Sequence, residues 1–174
     1  MKKLILLFTL MVSFCGVAMA NGDVTLKVTR INHKSMLKEN VADKGTFTYK
    51  RGGTMSMIFS PTDQLLMKGS TYTIVRGKHR SVAKGEMAAL FGVLQRVVDH
   101  LLSGGDGNIS KAESNGASIV RTGNVITIAP EVTAKKSRLL FTSFELTVDA
   151  KKHHLLSIKM NGKGQNYTLY TFSN

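Results

Sequence analysis

The sequence is poor in the residues that carry disulfides and acid–base chemistry. Its 174 residues include one cysteine, two prolines, no tryptophan and 11 acidic residues. Cys15 lies in the N-terminal apolar run, so the rest of the chain has no thiol for a disulfide, a cysteine–metal site or a cysteine nucleophile. The acidic residues are spread singly, without the paired carboxylates that acid–base catalysis uses.

Motifs of the common enzyme and cofactor classes are missing as well. The five histidines have no metal-ligand spacing, and the adjacent His153 and His154 would point to opposite faces of a strand. Asp106, Asn108 and Glu113 do not follow the order of a calcium-binding loop. No Walker, dinucleotide-binding or nucleophile-elbow motif occurs. We therefore expect no catalytic residue, no bound metal and no cofactor.

The N-terminus has the pattern of a secretory signal peptide. Two lysines precede an apolar run over residues 4–17, and Ala18-Met19-Ala20 forms an A-x-A cleavage site. The large Phe14 before Cys15 is unlike a lipoprotein signal. The pattern predicts a cleaved leader, residues 1–20, followed by one domain over residues 21–174. An uncleaved N-terminal anchor is the alternative.

Basic residues outnumber acidic ones by far. Lysine and arginine total 24, and the formal net charge is +13. This excess favours contact with acidic surfaces, such as anionic lipid headgroups or an acidic partner. A role in solubility alone explains it equally well. The lysines are scattered and no Arg–aromatic motif of a nucleic-acid module occurs, so we expect no nucleic-acid partner.

Alternation of apolar and polar residues predicts roughly nine or ten short antiparallel strands, interrupted by one helix. A sheet of this length tends to curl, so the predicted fold is mainly β (α+β): a curved antiparallel sheet that forms an incomplete β-barrel around the helix. The predicted strands are Val24–Asn32, Thr46–Arg51, Thr54–Ser60, Gln64–Lys68, Thr71–Arg76, Ser118–Arg121, Val125–Ala129, Leu139–Val148, Leu155–Asn161 and Tyr167–Phe172.

The helix is predicted over residues 85–103, where apolar residues recur at spacings of three and four. Glu86, Gln95, Arg96 and Asp99 take much of the opposite side, and two glycines end the segment. The apolar stripe is open to two interpretations: it packs in an ordinary core, or it lines a cavity for cargo. The stripe consists of Met87, Leu90, Phe91, Leu94, Val97, Val98, Leu101 and Leu102.

Residues 45–61, GTFTYKRGGTMSMIFSP, form the most informative segment, a predicted hairpin around two glycines. If the alternation holds, Arg51 lies on the same face as Phe47 and Tyr49. An interior arginine needs a partner, so we expect Arg51 to hold another element in place. A surface salt bridge with Asp63 or Glu86 is the alternative.

This segment resembles the LolA/LolB-like family, in which a strand ending in Lys-Arg-Pro is followed by a turn, an apolar strand and a proline. Two further segments are similar to the family's next hairpin and its C-terminal meander: DQLLMKGSTYTIVRGK and FELTVDAKKHHLLSIKMNGKGQNYTLYTF. Gly52 stands in place of the usual proline. The predicted mature chain begins with a strand-like segment, where the carriers have a long N-terminal helix.

The family includes periplasmic carriers of outer-membrane lipoproteins, built as incomplete barrels with a helical lid over an apolar cavity. The resemblance implies a non-enzymatic periplasmic carrier of a lipid or an acylated lipoprotein, with Arg51 holding the lid closed. It further implies a monomer with an inner-membrane donor, an outer-membrane acceptor and transient contact with the membrane surface. The implied cavity residues are Phe47, Tyr49, Met55, Met57, Phe59, Met67, Leu90, Phe91, Leu94, Val98 and Leu101.

Two other functions remain open at this point. The same fold can serve as a lipid- or protein-sensing regulatory module, in which it is fused to other domains, whereas we expect a single domain here. A structural protein of the cell envelope, with a filled core and no cargo, is the other alternative.

The leader is directly testable. We expect the mass of the exported protein to correspond to a mature chain that starts at Asn21 and contains no thiol. Intact-mass spectrometry of protein purified from the cell envelope measures this. A chain lipidated on Cys15 would contradict the prediction.

Overall fold

The computed structural model describes residues 22–35, 41–131, 141–149 and 154–174, and the predicted leader with Cys15 lies outside these ranges. The described residues form one 11-stranded sheet and two helices. The strands are β1 Val24–His33, β2 Val41–Lys50, β3 Thr54–Ser60, β4 Asp63–Lys68, β5 Thr71–Arg76, β6 His79–Val82, β7 Ala117–Thr122, β8 Val125–Pro130, β9 Ser143–Val148, β10 Leu155–Asn161 and β11 Tyr167–Ser173. The helices are α1 Gly85–Leu102 and α2 Lys111–Ser114.

The sheet is antiparallel and open. Its strand order is β6-β5-β4-β3-β2-β1-β11-β10-β9-β8-β7, with β6 and β7 at the two edges. Strands β2 to β6 make up a first arm and strands β7 to β11 a second arm, joined through β1, which pairs with both β2 and β11. The predicted fold, a mainly β protein with an unclosed antiparallel sheet, is confirmed.

The structure departs from the predicted strands at three places. Strand β2 begins at Val41, five residues before the predicted start at Thr46, and β6 has no counterpart in the prediction. All four residues of β6 are exposed at the sheet edge, so no apolar alternation marks them. The predicted strand Leu139–Val148 is seen as Ser143–Val148, and residues 132–140 lie outside the described ranges.

Residues paired across the strands of the first arm form one apolar concave face. Tyr49, Met55, Met67 and Tyr72 are successive cross-strand partners from β2 to β5, and all are buried. Antiparallel partners point to the same side of a sheet, so the alternation of each strand places its large side chains on this face. Each such burial stabilises the fold by about 1.5–3 kcal/mol.

Helix α1 lies inside the curve of the sheet. It contacts β5 of the first arm and β8 and β10 of the second. The Phe91 ring bridges the arms, at 5.7 Å from Tyr72 and 5.3 Å from Phe144, measured between centroids. Every residue from Leu90 to Gln95 is buried, which is more than one full turn, so the sheet surrounds the helix on several sides.

The predicted polar side of the helix is therefore partly wrong. Gln95 is buried, and its side-chain amide donates a hydrogen bond to the backbone carbonyl of Gly53. Asp99 is half-buried and accepts a hydrogen bond from the Tyr49 hydroxyl. These polar residues face the sheet because each has a partner there, which periodicity alone does not reveal.

Arg30 on β1 is a buried arginine that ties three strands together. Its guanidinium donates to Asp43 on β2 at 2.7 and 3.2 Å, and to both carboxylate oxygens of Asp63 on β4 at 2.8 and 2.5 Å. In a flat sheet β1 and β4 would lie about 14 Å apart, three strand spacings. The Arg30–Asp63 bond therefore requires the first arm to curl inward.

Phe59 and Gly45 shape the same region. The Arg30 guanidinium carbon lies 4.1 Å from the centroid of the Phe59 ring, a cation–π contact. A Cβ at Gly45 would come within 2.8 Å of the Phe59 ring and 2.5 Å of the Ile58 carbonyl. Glycine is therefore required in the middle of β2, because the Phe59 ring occupies the space of a side chain there.

Removal of Arg30 should destabilise the protein in a pH-dependent way. The bonds from Arg30 hold the pKa of Asp63 below its usual range, so their contribution is complete above about pH 4 and is lost as the pH falls through that lowered pKa. Arg30→Met should lower the free energy of unfolding by about 2–4 kcal/mol at pH 7, because the two carboxylates left behind are partly exposed. Chemical denaturation at several pH values measures this.

The matched control is Lys159→Met, which breaks the half-exposed Lys159–Glu145 pair. It should cost less than about 1 kcal/mol. If Arg30→Met lowers the free energy of unfolding by the same amount at neutral and at acid pH, the role given to Asp63 is contradicted.

Candidate functional site: the space between helix α1 and the sheet

The residues expected to line a cavity come together between the concave face and α1. With the exception of Phe59, which is half-buried, each is at most 3% exposed, and they belong to one apolar cluster. They are Phe47, Tyr49, Met55, Met57, Phe59, Met67, Leu90, Phe91, Leu94, Val98 and Leu101. This grouping allows either a filled core or a binding site that opens when α1 moves.

Side chains pack directly against each other in this space. The Phe47 and Phe172 rings lie 4.9 Å apart, and Phe141 meets Phe91 edge-on at 6.1 Å. Methionines supply much of the remaining surface, and their flexible thioether chains can fit ligands of varied shape.

Two pockets formed by described residues lie at the margins of the cluster. The first, about 20 Å³ beside Arg30, Phe59 and Tyr170, is the size of about one water molecule. The second is a cleft of about 260 Å³ between the start of α1 and β7–β8, with Leu90 at its apolar side and Glu86 and Glu131 at its polar side.

The polar bonds from α1 to the sheet are concentrated at one end of the molecule. The Tyr49–Asp99 and Gln95–Gly53 hydrogen bonds, which we call the latch, both lie where β2 turns into β3. The same Gly53 carbonyl accepts the Gly69 backbone N–H at 3.3 Å, which joins the β2–β3 turn to the β4–β5 turn. We call this the latch end, and the opposite end the Arg30 end.

Arg51 is exposed, so its predicted interior position is wrong. Strand β2 ends at Lys50, and Gly52 and Gly53 follow with φ values of +96° and +93°. The alternation that would have placed Arg51 inside therefore stops one residue too early. Its backbone N–H donates to Asp23 at 3.3 Å, and its side chain lies along Gly22.

The alternative bond from Arg51 to Asp63 is also wrong, because Arg30 holds Asp63. The signal for Arg30 was nevertheless present in the sequence. Arg30 is in phase with the buried Val24 and Val28 in β1, and the interior-arginine argument made for Arg51 applies to it directly.

Within the described residues, no three His, Cys, Asp or Glu side chains are grouped closely enough to hold a metal ion. Burial raises the pKa of Tyr72 and Tyr170, so both hydroxyls stay protonated at neutral pH. In the described ranges, neither helix is both long enough and apolar enough to cross a lipid bilayer.

Comparison with known proteins returns matches in three-dimensional structure only. No protein-family model matches the sequence, and no curated protein matches it. A LolA superfamily protein from Nitrosomonas europaea is similar over 87% of this chain and 84% of its own, with 10% identity and a TM-score of 0.36. A DUF1329 family protein from Desulfovibrio piger is similar over 88% and 84%, with 10% identity and a TM-score of 0.41.

Phe91 should be the most sensitive side chain of the helix. Phe91→Ala removes the ring that bridges both arms, and we expect a loss of about 3–5 kcal/mol in the free energy of unfolding. Val120→Ala at the exposed edge strand β7 is the control and should change stability by less than about 0.5 kcal/mol. Equal effects in thermal denaturation would show that α1 does not hold the arms together.

Proposed function

We propose that this protein is a non-enzymatic periplasmic carrier that binds the acyl chains of a lipid or an acylated lipoprotein between α1 and the concave face of the sheet. The observation that supports this most directly is the position of α1. A single helix fills an unclosed, methionine- and phenylalanine-rich half-barrel, and its polar bonds to the sheet are at one end.

In this proposal α1 acts as the lid. The latch holds the closed state, and cargo enters when α1 moves away from the first arm. The free energy of cargo binding would come from the hydrophobic effect, because each acyl methylene that leaves water contributes roughly 0.8 kcal/mol. An inner-membrane donor and an outer-membrane acceptor would load and unload a monomeric carrier, and the gating expected of Arg51 would act through its turn, at the Gly53 carbonyl.

A structural protein of the cell envelope is the second candidate. The observation in its favour is the close packing of the expected lining residues, which are buried against each other and against α1. In that case α1 stays in place and the concave face never meets a ligand. A sensing module is a third option, and it too would bind cargo or a partner without chemistry.

Lipid binding separates the first two candidates. We expect delipidated protein to bind palmitate or lysophospholipid at one site, as measured by native mass spectrometry and by displacement of a fluorescent fatty acid. Gln95→Ala removes a hydrogen bond of the closed state only, so it should tighten binding by up to about tenfold.

The matched control is Asn161→Ala, which loses hydrogen bonds to Ser143 and Glu145, away from α1. Its affinity should equal that of the unmodified protein. If neither the unmodified protein nor Gln95→Ala binds any acyl ligand, the carrier proposal is wrong and the filled-core candidate stands.

A further inference from the structure

The latch end carries a set of exposed cations, of which the proposed function uses only Arg51. Lys50, Arg51, Lys68 and Lys84 are all exposed there, and we call them the cationic rim. We propose that the cationic rim docks onto an anionic lipid surface, and that docking loosens the latch and frees α1. The claim that the rim docks on lipid is independent of the proposed function, whereas the claim that docking frees α1 rests on it.

Strand register places the rim residues side by side. Lys50 pairs with Thr54, Thr54 with Lys68, and Lys68 with Thr71 across strands β2 to β5. Lys50 and Lys68 are thus two strand spacings apart, about 10 Å, on the outer face. Lys84 follows directly after Ala83, whose N–H bonds to the Tyr72 carbonyl beside Thr71. The rim therefore extends across the strand ends of the whole first arm.

No carboxylate of the described residues forms an ion pair with a rim cation. Of the nearby carboxylates, Asp23 accepts the Arg51 backbone N–H and Asp99 accepts the Tyr49 hydroxyl. The Arg30 end also has exposed cations, Lys44 and Lys78 among them, and its buried arginine is held by two aspartates.

The form of the rim fits a lipid surface better than a single acidic ligand. Its cations are spread along an edge, which matches the spread of phosphates in a layer of lipid headgroups. They do not converge on one point, as they would around a single acidic ligand. Val82, with 45% of its surface exposed, lies two residues before Lys84 and adds an apolar contact among the charges. A cation-flanked apolar residue suits the boundary between headgroups and acyl chains.

The link to α1 runs through three residues of one turn. Arg51 belongs to the rim, Gly52 and Gly53 have positive φ, and the Gly53 carbonyl accepts the Gln95 side chain. Glycines change conformation at low cost, so a turn drawn toward phosphates can shift its carbonyl. Loss of the Gln95 bond would then leave α1 held by Tyr49–Asp99 and by apolar packing.

Docking is tested with vesicles of phosphatidylcholine alone and with about 30% phosphatidylglycerol added. We expect binding to the anionic vesicles only, weakened by salt at about 0.5 M. Each lost rim cation should cost about fivefold in affinity, so Lys50→Ser with Lys68→Ser should weaken binding by about 25-fold.

The matched control is Lys44→Ser with Lys78→Ser, which removes the same charge at the Arg30 end. Lys44 lies on the outer face of β2 like Lys50, about 20 Å away along the strand. The control should bind within about threefold of the unmodified protein. Equal losses in both double variants, or equal binding to neutral vesicles, would overturn docking through the rim. Rim-dependent binding to soluble polyglutamate but not to vesicles would indicate an acidic protein partner instead and would also overturn it.

Loosening of the latch is tested by hydrogen exchange of the α1 amides. Anionic vesicles should speed their exchange at least about tenfold in the unmodified protein, and not in the rim variant. Docking without faster exchange would overturn the coupling to α1. Rim-dependent docking and faster exchange in a protein that binds no acyl ligand would leave this inference standing while the carrier proposal fails.

Discussion

The buried Arg30 guanidinium is the interaction on which the shape of the first arm depends. An arginine inside a protein is unstable unless carboxylates surround it, and here Asp43 and Asp63 do so from β2 and β4. The bond to Asp63 can form only if the arm bends, and Phe59, admitted by Gly45, covers the charge from the remaining side. The curvature of the first arm, and with it one side of the space that α1 fills, is thus held by one desolvated cation.

Apolar packing stabilises the position of α1 by far more free energy than the latch does. Its eight large apolar side chains are buried, which is a gross gain of roughly 10–25 kcal/mol, whereas the two latch bonds contribute about 2 kcal/mol together. The latch therefore decides where α1 sits more than whether the protein folds. A saturated chain of about 16 methylenes would gain about 13 kcal/mol on burial, the same order as the packing of the helix.

Much of the architecture was readable from the sequence because most strands have one apolar face. The alternation of β1, β3, β10 and β11 and the helical period of α1 were sufficient to predict those elements. The start of β2 and the whole of β6 were missed, since their residues are exposed and pair only through the backbone. The burial of Gln95 was missed because it depends on a carbonyl in a turn 42 residues away.

Arg51 and Arg30 show that alternation locates an interior side chain only within a strand. Arg30 lies inside β1, while Arg51 lies just beyond the end of β2.

The two ends of the half-barrel differ in a way that bears on where it can move. At the Arg30 end, four charge-assisted bonds and a cation–π contact join β1, β2, β3 and β4, and their loss would expose a buried charge. At the latch end, the β2–β3 turn has two glycines with positive φ, and two hydrogen bonds join α1 to the sheet: Tyr49 to the Asp99 carboxylate and Gln95 to the Gly53 carbonyl. The Arg30 bonds join strands only, so movement of α1 leaves them intact and the first arm stays curved at that end. Any movement of α1 away from the first arm should therefore break the latch while the Arg30 end keeps its shape, and it would expose the paired Met55 and Met67 beside the latch.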